Sequence, residues 1–328
     1  MSEAARFGYN HYLQYLIEEL HLDPNVSANG DTADLLQISS TNAHFHTTVY
    51  LAELPDSHWN YALALLTAPI GGNLEIVQFL SKRLDQLEEK TLTMSSDSAN
   101  STATSSSLSN YETLPMDVAA EYGWLDIVCW LHENRSEGCS TKAMDYAAMN
   151  GHLDVVRWLH NYRSEGCTNL AMDLAAESGY LDVVRYLHEN RTEGCSAECF
   201  DSVISFGRLD VIKWLHENRT EGCSTFGMAR AAYHGRLDII KWIHENRTEG
   251  SSQLTMDLAA YSGHLEVLKW LNENRTEGCS IRALINANDN KHKDVVRWLK
   301  ANRSEFRDYQ QQQQEEQQQQ PPNKIQNQ

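Results

Sequence analysis

Residues 144–171, MDYAAMNGHLDVVRWLHNYRSEGCTNLA, decide how the rest of the chain is read. The same frame starts at Met116, Met172, Phe200, Met228, Met256 and Leu284, successive starts lying 28 residues apart with no insertion. Seven repeats in strict register predict an all-α stack of helix–turn–helix modules. Each module can bury its apolar face only against its neighbours.

Within one repeat two short helices are expected, A then B. Ser140 and its equivalents Thr168, Ser196, Ser224, Ser252 and Ser280 are placed to cap helix A, with Cys139 and Met144 as the apolar pair that staples its first turn. The small Ala147 and Ala148 allow close helix approach. Gly151, in the column of Gly123, Gly179, Gly207, Gly235 and Gly263, ends helix A in a tight left-handed turn. Helix B follows as Leu-Asp-Val-Val-Arg-Trp-Leu-His. Asp154 favours the positive end of its dipole, and Leu153, Val155, Val156, Trp158 and Leu159 form a wide apolar surface suited to a stacked helix. The helix then runs out into Glu-Asn-Arg-Thr-Glu-Gly, where Asn or Gly can turn left-handed.

The stretch Ala147–Leu159, Ala-Ala-x-x-Gly-His-Leu-Asp-Val-Val-Arg-Trp-Leu, resembles the central signature of ankyrin repeats, in a short form of the kind multiplied in some eukaryotic microbes. The resemblance implies a helical solenoid that binds other proteins. Two departures qualify it. Lys142-Ala143-Met144-Asp145 stands where the family carries Thr-Pro-Leu-His, and the repeat is about five residues short of the usual ankyrin length. Those residues would come from the β-hairpin fingers, so stubby fingers or none are expected.

Outside the seven repeats the pattern weakens. Gly72–Leu80 matches helix B well, and Gly8–Leu16 and Ala43–Leu51 match loosely, so residues 1–90 read as degenerate repeats acting partly as an N-terminal cap. Residues 91–110, rich in Ser and Thr, read as a disordered insertion. The array occupies 111–308, ending in a repeat where Lys291 and Lys293 replace glycine and leucine on a solvent-facing cap. Residues 309–328 form a glutamine-rich tail expected to be disordered.

The net charge of −18 argues against binding nucleic acid or anionic membranes, and favours a neutral or basic partner surface. No apolar run approaches the ~20 residues of a membrane span, and the polar start MSEAARFGYN lacks a secretory signal. The chain is therefore placed in the cytosol or nucleus, with its seven cysteines reduced. The Asn-Arg-Ser/Thr triplets at Asn134, Asn190, Asn218, Asn246, Asn274 and Asn302 are by-products of the repeat.

Cysteines 139, 167, 195, 223 and 279 form one column, and histidines 132, 160, 188, 216 and 244 another. Neighbouring repeats lie about 8–10 Å apart, too far for equivalent side chains to share a zinc ion. No metal, cofactor or small-molecule substrate is expected. Residues that recur in every repeat read as scaffold and not as a singular catalytic centre. The Arg-Thr/Ser-Glu segments, such as Arg135 with Glu137 and Arg191 with Glu193, are expected to form charge ladders between neighbours.

Recognition is therefore sought in the columns that vary. Two close helix A and one follows the turn glycine. Together they nominate Tyr122, Trp124, Tyr180, Phe206, Arg208, Tyr233, Arg236 and Tyr261 as a partner-binding edge, since aromatic and Arg side chains dominate interface hot spots. The function expected is a non-enzymatic interaction scaffold or adaptor. The rivals are a recognition module of a larger enzyme complex, or an enzyme with its site in the degenerate N-terminal region.

Overall fold

A computed structural model describes residues 1–24, 34–55, 58–95, 108, 111–220, 222, 224, 226–248, 251–303 and 306. The glutamine-rich tail, and all of the Ser/Thr-rich stretch after Ser95 except Leu108, lie outside the described residues. Every regular element among the described residues is helical, as an all-α helix–turn–helix solenoid requires. The chain divides into two compact units, Met1–Cys195 and Ser196–Gln328.

The first unit holds six helix pairs. Ser2–Arg6 pairs with Asn10–Gln14, Leu35–Thr41 with Phe45–Ala52, and Tyr61–Thr67 with Leu74–Ser95. Pro115–Glu121 with Leu125–Asn134, Thr141–Met149 with Leu153–Tyr162, and Asn169–Ser178 with Leu181–Asn190 complete it. The second unit holds four: Cys199–Phe206 with Leu209–Asn218, Gly227–Tyr233 with Leu237–Asn246, Gln253–Tyr261 with Leu265–Asn274, and Ile281–Asp289 with Lys293–Asn302. Within each unit the first helix of a pair packs on the first helix of the next. The helix Leu74–Ser95 runs past residue 90, because its Leu, Glu, Lys and Gln residues favour helix and no Gly or Pro interrupts it.

The buried columns follow the repeat. Ala147, Ala148, Val155 and Val156 are fully buried and Leu159 nearly so, as are their counterparts Ala175, Ala176, Val183, Val184 and Leu187. Helix B therefore buries a narrow stripe. Leu153 and Trp158 are only half-buried, which corrects the wide apolar surface read from the sequence. Trp158 lies at the surface between two rings, with His132 edge-on at 5.1 Å and Tyr162 at 5.1 Å.

Caps also follow the columns, incompletely. The hydroxyls of Ser140, Thr168 and Ser280 accept from the amides of Lys142, Leu170 and Arg282 at 3.1–3.2 Å. Ser252 precedes its helix without a side-chain cap bond. Ser224 accepts from the Phe226 amide at 3.1 Å, but the helix proper starts at Gly227. After Ser196 the helix starts later still, at Cys199 with Glu198 at the cap position. The turn itself survives loss of glycine. Ala43 and Lys291 stand in the glycine column and both take φ of +63°. Helix B ends at Asn134, with Arg135 extended and Gly138 (φ +72°) making the left-handed turn, so the glycine and not the asparagine turns. The link to the next helix A is short, and no β-hairpin finger occurs among the described residues.

Candidate functional site: the variable edge and the joints beneath it

The edge can vary only if something else fixes the stack, so the joints come first. The carboxylate after the recurring methionine is buried and reaches into the following repeat. Asp145 accepts from the Thr168 amide at 2.8 Å and the Thr168 hydroxyl at 2.9 Å. Asp117 takes Ser140 in the same way, at 2.7 and 2.9 Å, and Asp257 takes Ser280, at 2.8 and 2.5 Å. Asp201 accepts from the Ser224 amide at 3.0 Å. One acceptor thus orients the capping hydroxyl and satisfies a helix-start amide. Burial pushes the Asp145 carboxyl above its ordinary value, against the pull of the Thr168 hydrogen bonds. One joint lacks the carboxylate: Ala229 occupies its column, and Ser252, which would receive it, is the serine without a cap bond.

A second link runs through the arginine at the end of helix B. Arg163 pairs with Glu165 of its own loop, and its Nη1 donates to Nδ1 of His132 in the preceding repeat at 3.1 Å. Arg247 to His216 and Arg275 to His244 repeat this at 2.9 and 3.2 Å. In these three repeats histidine bridges the neighbours, and the ion pairs of Arg163 and Arg275 lie within one loop, in place of the expected ladder of charges. Arg135 does make the expected link, pairing with Asp85 of the preceding helix pair at 2.6 Å as well as with Glu137. The Arg191 hydrogen bond holds Glu193 below the usual carboxylate range, and Arg275 does the same for Glu277. In the cysteine column Cys139, Cys167 and Cys279 are buried packing residues. Burial pushes the Cys139 thiol up to about 12 and Cys167 to about 11, leaving both protonated and unreactive at neutral pH.

All eight residues nominated for the edge are exposed. The six aromatic ones, Tyr122, Trp124, Tyr180, Phe206, Tyr233 and Tyr261, expose between 39% and 54% of their surface. In the first unit Tyr122 and Trp124 flank one turn and Tyr180 follows another. In the second unit Tyr233 and Tyr261 stack at 6.0 Å with ring planes 23° apart, while Phe206, Arg208 and Arg236 come from the adjoining turns.

The column after the turn glycine does more than face solvent. A Cβ placed on Gly151 would fall 2.5 Å from the Tyr180 ring, and one on Gly207 would fall 2.7 Å from Nε of Arg236. The Trp124 ring covers Gly72 in the same way. His264 donates from Nε2 to the Tyr233 carbonyl at 3.1 Å. Trp124, Tyr180 and Arg236 are therefore parts of the joints as well as of the surface. Tyr122, Phe206, Tyr233 and Tyr261 carry no such seat. Sequence reasoning missed the joint residues. Their only signal is a carboxylate that recurs 23 positions before a Ser or Thr.

The acidity of the chain is confined to one part of it. Residues 1–195 hold 10 Lys and Arg against 27 Asp and Glu, a formal −17, and residues 196–328 hold 17 against 18, a formal −1. Around Tyr233, desolvation together with the charges of Arg236, His264 and Arg230 holds His234 below the ordinary imidazole value. The expectation of a neutral or basic partner surface thus fits the first unit alone.

Family models described as ankyrin repeats match residues 116–201 in a three-copy form and residues 228–271 in a many-copy form. It carries ankyrin repeats. No curated protein sequence matches it. Ankyrin repeats are in general protein–protein interaction modules, and ankyrin-repeat proteins are typically non-enzymatic. Among the described residues no helix is long and apolar enough to cross a membrane.

Proposed function

We propose that the protein is a non-enzymatic scaffold or adaptor that binds a partner protein along its variable edge. One observation carries this reading: the eight nominated side chains that differ between repeats are all exposed, while the recurring alanine pair of helix A and apolar pair of helix B are buried. Rigid helices present these side chains so that little backbone entropy is lost on docking. In this reading the helix pairs ahead of Tyr111 serve as degenerate repeats that cap the array.

The four aromatic edge residues that do not rest on a glycine make the test; two of them, Tyr233 and Tyr261, are removed together because they stack on each other. Tyr122→Ala, Phe206→Ala, Tyr233→Ala and Tyr261→Ala combined should leave the melting curve nearly unchanged, since surface substitutions shift stability by less than about 0.5 kcal/mol each. Loss of interface anchors should cost about 2 kcal/mol or more apiece in affinity. Affinity capture with quantitative mass spectrometry reads the outcome. A folded variant that retains every partner of the wild type overturns the proposal.

A further inference from the structure

The last helix pair, Ile281–Asp289 and Lys293–Asn302, differs from the three pairs before it in its unit in one respect: no repeat covers its outer face among the described residues. The residues on that face show what it is shaped for. Ala259 and Leu268 of the preceding pair are fully buried. Of their equivalents Ala287 is still fully buried, and Val296 is half-exposed at the floor of an open groove of about 450 Å³.

The rim is positive. Lys291, Lys293, Arg297 and Lys300 line the groove, at positions held in the preceding repeat by Gly263, Leu265, Lys269 and Asn272. Residues 281–303 hold six Lys and Arg against Asp289 and Asp294, a local +4 in a chain of −18. Arg297 reaches Asp294 at 3.5 Å, but both side chains are about four-fifths exposed, where such a pair contributes little. The ammonium groups of Lys291, Lys293 and Lys300 have no carboxylate partner among the described residues. A solubilising cap needs polarity, and mixed signs supply it at least cost. Four like charges around an aliphatic floor repel one another, and an anionic occupant relieves that repulsion.

We propose that this groove binds an acidic amphipathic helix of a partner protein. Its apolar stripe would lie on Val296, where a following repeat would lie, and its carboxylates would meet the four cations. Helix in groove suits the site because the same face already receives helices at each earlier joint of its unit. A single-stranded nucleic acid fits less well: no aromatic ring lines the groove for base stacking. The proposal adds a second site and does not depend on the edge reading.

The test uses the full chain and a fluorescent synthetic helical peptide carrying a leucine stripe flanked by glutamates. A matched peptide carries glutamines in place of the glutamates, and a short oligouridylate is the competitor. Anisotropy should show saturable binding of the glutamate peptide, weakening with salt. Lys293→Glu with Lys300→Glu should raise its Kd by about tenfold or more through like-charge juxtaposition, and Lys293→Gln with Lys300→Gln should raise it less. The alanine variant of the edge should bind the peptide normally. Absence of saturable binding, equal affinity for the glutamine peptide, an unchanged Kd in the folded Glu variant, or displacement by the oligouridylate at lower concentration would each overturn it. Self-association of the chain that the Glu variant abolishes would overturn the assigned occupant in favour of a second copy.

Discussion

The two units use one repeat grammar on different electrostatic backgrounds. In the first, at −17, both joints of the regular array after Pro115 are locked, Asp117 to Ser140 and Asp145 to Thr168. In the second, at −1, two of three joints keep the carboxylate, and the one at Ala229 has lost it together with the cap on Ser252. The buried valine, isoleucine and leucine columns are the same in both. Apolar burial is therefore the common requirement. The polar lock adds to it and can be omitted, and surface charge is free to follow the partners.

The largest expected effect probes the shared requirement. Leu159→Ala in the first unit and Leu215→Ala in the second should each cost about 2–5 kcal/mol through a cavity, measured by urea unfolding. Trp158 is not a substitute for either, being half-buried. A cost confined to one unit would show that the columns are not equivalent.

Next comes the lock. Asp145→Ala leaves the Thr168 amide without its acceptor and should cost about 1–3 kcal/mol. Ala229→Asp should work in the opposite direction, supplying Ser252 with the acceptor its counterparts have and adding about 1 kcal/mol of stability. If thermal melts show Ala229→Asp to be destabilising, the missing carboxylate is not what separates that joint from the rest.

The smallest effect is shared by both units. Glu193 and Glu277 have lowered folded-state values, so the stability they contribute is present above their ordinary value of 4.5 and is lost as pH falls through the lowered one. Asp145 has the opposite sign. Its raised value means that its ionised form is disfavoured on folding, a penalty relieved as pH falls through that value. Glu193→Gln and Glu277→Gln should each flatten the acid limb of a stability–pH profile, whereas Asp145→Asn should not. Identical acid limbs in all three variants would remove the Arg–Glu loop pairs from the account.

Much of this was legible in the sequence because it is local or periodic. The 28-residue register, the turn at Gly151 and the paired Val155 and Val156 follow from spacing alone. The exposure of Tyr122 or Phe206 follows from their place at the end of helix A. The joints were not legible, because they depend on which faces meet. Nothing local says that Asp145 will find Thr168, that Arg163 will turn to His132, or that Trp158 will sit between two rings instead of in the core. The caps at Ser196 and Ser252 do not form as expected for the same reason. A good capping residue still needs the neighbouring repeat to aim it.

The seating of Tyr180 on Gly151, and of Arg236 on Gly207, has a consequence for how such a chain can diversify. A glycine offers a flat seat that makes no demand on the shape or charge of what rests on it. Tryptophan, histidine, tyrosine and arginine all occupy that place in this molecule, each over the glycine of the repeat before. The seat belongs to one repeat and its occupant to the next, so duplicating a repeat whole regenerates a compatible join at both ends. New recognition chemistry can then be tried at the edge one residue at a time, with no compensating change in the repeat beneath.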